Sequence, residues 1–221
     1  IGNTATNDNG GGIYCESSTA NILNSTISGN TSGGGGGFYC NSGIDGNFPI
    51  ISNVIISGNT ASYGAGIRCN NSSPTISNAT IRGNTASFGG GIYCNNSSPT
   101  ISNSIVSDNS SGEIYTYSGS PTVTYSDIQG GYTGNGNIDS NPFFVDAANG
   151  DYRLSDYSPC IGAGTSDGAP TTDIDGNPRP NPEGSNPDMG AYENARAFPH
   201  VYAVDDYVTI NEDSDTTMWA A

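Results

Sequence analysis

Short apolar runs separated by clusters of Gly, Asn and Ser recur along the first part of the chain. Four segments align directly: Gly-Gly-Gly-Ile-Tyr-Cys at 10–15, Gly-Gly-Gly-Phe-Tyr-Cys at 35–40, Gly-Ala-Gly-Ile-Arg-Cys at 64–69 and Gly-Gly-Gly-Ile-Tyr-Cys at 89–94. Their cysteines, Cys15, Cys40, Cys69 and Cys94, stand 25, 29 and 25 residues apart, and a degenerate fifth copy at 112–116 replaces Cys by Thr. No segment sustains a 3.6-residue apolar stripe, so short strands between tight turns are predicted rather than helices. In Ile67-Arg68-Cys69 the outer residues share one face, which directs Ile and Cys inward and the Arg or Tyr position outward.

Each repeat has a second half, clearest in residues 73–86. The spacing of five from Ile76 to Ile81 breaks strict alternation and predicts a corner at Asn78. Asn24, Asn53, Asn78 and Asn103 then form one column, and Asn30, Asn59, Asn84 and Asn109 form a second. Asn tolerates left-handed turns, and stacked amides can bond from rung to rung, so both columns are expected to be structural. A coil burying about four apolar side chains gains roughly 1.5–3 kcal/mol from each. Ordering its residues costs roughly 1–2 kcal/mol apiece. No coil is stable alone, so the repeats must stack as a solenoid with rungs about 4.7–4.9 Å apart.

Composition supports this reading. Of 221 residues only a third are hydrophobic and 32 are Gly, which without a period would indicate disorder. The five cationic side chains are all Arg, against 21 acidic residues and a net charge of -16. Nucleic acid is thereby excluded as an expected partner, and anionic membranes are disfavoured. No apolar run approaches the roughly 20 residues of a membrane span, so membrane insertion is not expected. The sequence opens in mid-repeat, since Gly2-Asn3-Thr4-Ala5 matches Gly58-Asn59-Thr60-Ala61, and upstream sequence is expected to be missing.

The repeats over residues 1–134 resemble those of secreted bacterial right-handed parallel β-helix proteins of the pectate-lyase-like superfamily, including polymorphic outer-membrane proteins. Residues 135–197 carry Asn141-Pro142-Phe143-Phe144-Val145-Asp146, Asp151-Tyr152-Arg153-Leu154, Ser158-Pro159-Cys160-Ile161-Gly162-Ala163-Gly164, Asp175-Gly176-Asn177-Pro178-Arg179 and Asp188-Met189-Gly190-Ala191-Tyr192-Glu193. They resemble the region that closes the β-helix in choice-of-anchor Q proteins. Residues 198–221 hold a linker and a segment at 203–213 similar to the first strand of cadherin-like or Ig-like repeats. The implied protein is all-β: a right-handed parallel β-helix with a loop-rich C-terminal closing region and an extended terminal strand, located outside the cell or on its surface.

The resemblance is specific for fold and weak for function. The first expectation is a non-enzymatic structural protein, assembling with itself head to tail into a filament. The alternative is a glycan-binding adhesin using the outward column Tyr14, Tyr39, Tyr93 and Tyr115, for which a plain surface ladder is the simpler account. A calcium-dependent polysaccharide lyase ranks third. It would need Arg68 or Arg82 as base beside acids, yet Asp8, Asp45, Asp108 and Asp127 occupy different repeat positions, so no acidic ladder is expected to face either arginine. His200 lies beyond the repeats and is not expected to act as a base. Asp173, Asp175 and Asn177 have spacing that can wrap calcium, or equally form a turn held by Asx hydrogen bonds. Cys15, Cys40, Cys69 and Cys94 are expected to be reduced packing residues, because side chains in parallel register seldom meet the disulfide torsion.

Overall fold

The computed structural model describes residues 1–5, 10–41 and 48–200. Asp8, Asp45 and the strand expected at 203–213 lie outside the described residues. Three parallel sheets wind through successive coils. Sheet A contains β1 (Thr4–Ala5), β4 (Thr31–Ser32), β7 (Thr60–Tyr63) and β10 (Thr85–Phe88). Sheet B contains β2 (Ile13–Glu16), β5 (Phe38–Asn41), β8 (Ile67–Asn70), β11 (Ile92–Asn95) and β14 (Ile114–Thr116). Sheet C contains β3 (Asn21–Ser28), β6 (Ile50–Ser57), β9 (Thr75–Arg82), β12 (Thr100–Ser102), β13 (Ile105–Ser107), β15 (Thr122–Thr124) and β16 (Asp127–Ile128). This is an all-β parallel solenoid.

Like residues stack on like. In sheet B, Cys15, Cys40, Cys69, Cys94 and Thr116 share one register position and Ile13, Phe38, Ile67, Ile92 and Ile114 another. Ile67, Cys69, Ile76 and Ile81 are fully buried and belong to the same core. The four stacked cysteines are free thiols, and hydrogen bonding with the Cys40 and Cys94 thiols, together with burial, pushes the Cys69 thiol well up.

The two asparagine columns have different tasks, which composition alone did not separate. Asn24, Asn53, Asn78 and Asn103 turn the corner with φ of 47, 53, 49 and 49°. In the other column the left-handed residue is the preceding Gly29, Gly58, Gly83 or Asp108. That leaves Asn30, Asn59, Asn84 and Asn109 free to form an amide ladder. Asn30 Nδ2 donates to Asn59 Oδ1 at 2.9 Å, Asn59 to Asn84 at 2.9 Å and Asn84 to Asn109 at 2.8 Å. Each receiving oxygen also accepts the backbone N–H of the previous asparagine. Asn59, Asn84 and Asn109 donate as well to the carbonyls of Ile27, Ile56 and Ile81. At the far end Glu113 accepts from the Asn109 backbone and amide, ending the chain of donors.

This ladder explains the Gly-rich motif. A Cβ on Gly66 would lie 2.5 Å from the Gly91 carbonyl oxygen and 3.2 Å from Asn84 Nδ2, so the turn stacks too closely for any side chain.

The C-terminal part does two things. Residues 132–138 cover the last rung: Tyr132 packs on the core, Ile138 bonds Ser126 and Ile128, and Asn137 Nδ2 reaches the Val123 carbonyl at 2.9 Å. The boundary expected at 134 falls inside this segment. The chain beyond it does not sit on the end of the solenoid. It lies along the outer face of sheet C, through β17 (Phe144–Asp146), β18 (Asp151–Leu154) and loops. The outward column Ile55, Thr80, Ile105 and Asp127 is buried, whereas Thr26 of the first coil is exposed. The corner asparagines pin this cover: Asn53, Asn78 and Asn103 donate to the carbonyls of Thr172, Asp188 and Thr165.

Replacing Asn84 with Ala would strand the Asn59 N–H and amide and the Ile56 carbonyl in the interior. At about 1–3 kcal/mol for each unsatisfied group, a loss of at least about 3 kcal/mol is expected. Asn30→Ala should cost less, because the donors it would strand belong to the exposed Asn3. Urea midpoints of the two variants measure the difference.

Candidate functional site

Three places gather chemistry-bearing side chains: the outer corner between sheets A and B, a cleft beside Arg82, and the interior of the lateral cover.

At the corner the predicted column Tyr14, Tyr39, Arg68, Tyr93 and Tyr115 is in register on sheet B. Two of its rungs are covered. Tyr39 and Tyr93 are each only 7% exposed, because neighbouring rings pack over them. Tyr14 tilts against Tyr39 at 5.1 Å, and Tyr93 stacks on Tyr115 at 5.6 Å and 5°. Sheet A supplies two further rings that the sequence reading did not select, Tyr63 and Phe88, stacked at 5.6 Å and 10°. Their signal was present, since each immediately precedes the glycine that opens a repeat motif. Both are exposed, at 37% and 43%. The Arg68 guanidinium lies 4.7 Å from the Tyr39 ring centre and 5.3 Å from that of Tyr63.

The cleft, about 360 Å³, is lined by Arg82, Asp108, Gln129, Asp139 and Asn141 among others. Here a single acid, not a ladder of them, faces an arginine. Asp108 stands one coil after Arg82, in the left-handed position that glycine fills elsewhere, and its carboxylate accepts from Arg82 Nε at 2.9 Å and from Nη2. The pairing crosses coils, so comparing positions within a repeat could not reveal it. Arg82 also lies over the Phe144 ring at 5.4 Å. An arginine bonded in this way acts as a donor, the opposite of a lyase base. Asp127 is elsewhere: it is buried, accepts from Ser140 N–H and from Cys160 Sγ at 3.3 Å, and is pushed up by burial.

Within the cover, the predicted calcium ligands form a turn. Asp173 is buried, with one oxygen accepting the N–H groups of Asp175 and Asn177 at 2.9 and 2.8 Å. Its other oxygen accepts from Asn177 Nδ2 and Glu193 N–H, both at 3.1 Å. Four donors occupy this carboxylate, and the Asn177 amide turns its nitrogen toward it. The Asx-turn alternative therefore describes the loop, and the donor set does not fit calcium. Among the described residues no group of three or more His, Cys, Asp or Glu side chains is placed to hold a metal ion.

The Asp188 and Arg179 motifs meet beside that turn. The buried Arg179 is 3.2 Å from the Glu193 carboxylate and donates to the carbonyls of Asp188, Gly190 and Ala191. Asp188 accepts from Gly162 and Asn194 N–H. Gly190 bonds the Asn103 carbonyl, and Ala191 N–H donates to Thr80 Oγ1, which fastens the motif to sheet C. With Asp173, Asp188 and Glu193 around one guanidinium, burial dominates and raises Asp188 to about 7. His200 packs edge-on against Tyr157, and its backbone N–H donates to the Asp156 carbonyl at 2.7 Å.

A family model described as "right handed beta helix region" matches residues 1–142. The chain belongs to this family. Comparison with curated proteins and with solved structures yields no match. In this right-handed β-helix no helix among the described residues is long and apolar enough to cross a membrane.

Asp188 makes the β-helix pH-sensitive in a defined direction. Its folded pKa is raised, so the native state holds the proton more tightly than the unfolded chain. Its contribution is fully present below the unfolded value and lost as pH rises through about 7. Stability, and melting temperature with it, is expected to fall from about pH 4 to about pH 7, by up to about 1.4 kcal/mol per pH unit. Asp188→Asn should flatten the profile, as thermal melts across that range would record.

Proposed function

We propose that the chain is a non-enzymatic structural rod of an extracellular or cell-surface protein. The observation that carries this reading is the amide ladder from Asn30 through Asn59 and Asn84 to Asn109, terminated by Glu113. It commits polar side chains to holding coils in register. The lateral cover braces the same coils through Asn53, Asn78 and Asn103. Both devices favour a stiff spacer of set length. Among the described residues β1, β2 and β3 are edge strands of their sheets, where a second copy could add.

A second reading, glycan binding, is favoured by the exposed aromatic corner around Arg68. The lyase reading has less support, because Arg82 is tied to Asp108 and Asp173 is filled by donors.

The test combines electron microscopy with an activity screen. Straight rods or end-to-end filaments are expected, with no unsaturated product from acidic polysaccharides when calcium is supplied. Product formation that disappears in Arg82→Ala would overturn the non-enzymatic reading.

A further inference from the structure

We propose that the outer face of the first coil, at Leu23, Asn24 and Thr26, docks an extended glycine-containing segment of a separate protein. The rod reading concerns how the coils hold together, and this site concerns what one of them carries.

The face repeats a recognition pattern that the molecule already uses on itself. Along sheet C the corner asparagine and the outward residue after it run Asn24 and Thr26, Asn53 and Ile55, Asn78 and Thr80, then Asn103 and Ile105. An Asn-x-Thr coil followed by an Asn-x-Ile coil therefore occurs twice. Its second occurrence is filled by the lateral cover. Asn78 Nδ2 donates to the Asp188 carbonyl at 3.4 Å, Ala191 N–H donates to Thr80 Oγ1 at 3.1 Å, and Gly190 N–H donates to the Asn103 carbonyl at 2.8 Å. A Cβ on Gly190 would stand 2.9 Å from Ile105 Cδ1 and 3.1 Å from Thr80 Oγ1, so Thr and Ile together demand glycine between them. What this pair reads is extended backbone: a carbonyl, then a glycine, then an N–H.

The first occurrence is open on its Thr side. Asn24 and Thr26 are exposed, whereas Thr80 is buried. Asn24 gives its oxygen to Asn53 Nδ2 at 3.1 Å, and among the described residues its own Nδ2 and the Thr26 hydroxyl make no hydrogen bond. Leu23 stands in a column whose next members are Ser52 and Ser77, and it is 50% exposed where those serines are buried. A lone exposed leucine signifies little. Beside an open donor and an open hydroxyl in the arrangement that seats residues 188–191, it adds an apolar contact. The face also continues an interface already formed, since Asn53 on the next coil donates to the Thr172 carbonyl of the cover at 2.7 Å. In this chain the matching segment is seated on its own coils, so a second copy has none to spare and the occupant is another protein. Main-chain hydrogen bonds joined to one apolar side chain suit a short extended peptide.

The probe is a synthetic peptide of residues 186–193, titrated into the isotope-labelled full chain and followed by the NMR shifts of backbone and Asn side-chain amides. Saturable shifts at Leu23, Asn24 and Thr26, the Asn24 side-chain amide included, are expected. Thr26→Val keeps the shape of the side chain without its hydroxyl, and Leu23→Ser installs the residue of the next two coils. Both should leave the melting curve unchanged, and each should weaken binding about fivefold, the scale of one neutral hydrogen bond. A peptide carrying Gly190→Val should bind more weakly still. No saturable shift, shifts confined to the cover, or undiminished binding by Thr26→Val would each overturn the proposal. The same shifts on concentrating the chain without peptide would overturn the assignment to a separate protein and make the occupant a second copy.

Discussion

Everything in this molecule depends on placing one coil directly above the next. A parallel rung has no stability of its own and acquires it only when its hydrogen-bonding groups and side chains meet copies of themselves. The buried amide column is the most demanding expression of that rule, since each Asn must be both donor and acceptor to the adjacent coil. Sequence length is free to vary only where this is not asked. The long interval between Cys40 and Cys69 shows where. Asn41 pairs with Asn70 and Ile50 with Thr75, so the four extra residues fall between Asn41 and Ile50. The ladders on either side keep their register.

The lateral cover answers a second constraint. Sheet C presents Ile55 and Ile105 outward, and these apolar side chains need burial as much as the interior does. The cover provides it with few apolar residues of its own, chiefly Leu154, Ile161 and Met189 around Ile105. Its loops consequently rely on buried carboxylates accepting backbone N–H groups, and on Arg179 collecting three carbonyls. Such a network fixes one arrangement at an electrostatic cost. The raised pKa of Asp188 is the trace of that cost, because burial, with the Glu193 carboxylate beside it, disfavours its charge.

Much of the solenoid was legible in the sequence because its signals are local and repeated. The Cys column, the inward Ile positions and the corner at Asn78 follow from alternation and its one interruption. What periodicity could not supply was anything joining different positions of the repeat. The Arg82 to Asp108 pair links the end of one strand to the corner of the next coil. Tyr63 and Phe88 belong to sheet A yet pack on sheet B. The cover's position on the flank of the coils is set by contacts such as Thr80 with Ala191, 111 residues apart. For the Asp173 loop the spacing suited two chemistries, and the donors around the carboxylate decide between them.

Departures from the repeat are informative because stacking penalises them. Glu113 replaces a small residue where the amide ladder ends, and its two oxygens receive the last donors. Asp108 replaces a corner glycine and holds Arg82. Each pairs with a group inside the fold. Arg68 interrupts a tyrosine column in which tyrosine would stack well, and it finds rings but no acceptor for Nε. The internal accounts that explain the other two departures do not reach it. Its guanidinium is held instead by the rings of Tyr39 and Tyr63, so ring packing and not an ion pair accommodates this departure.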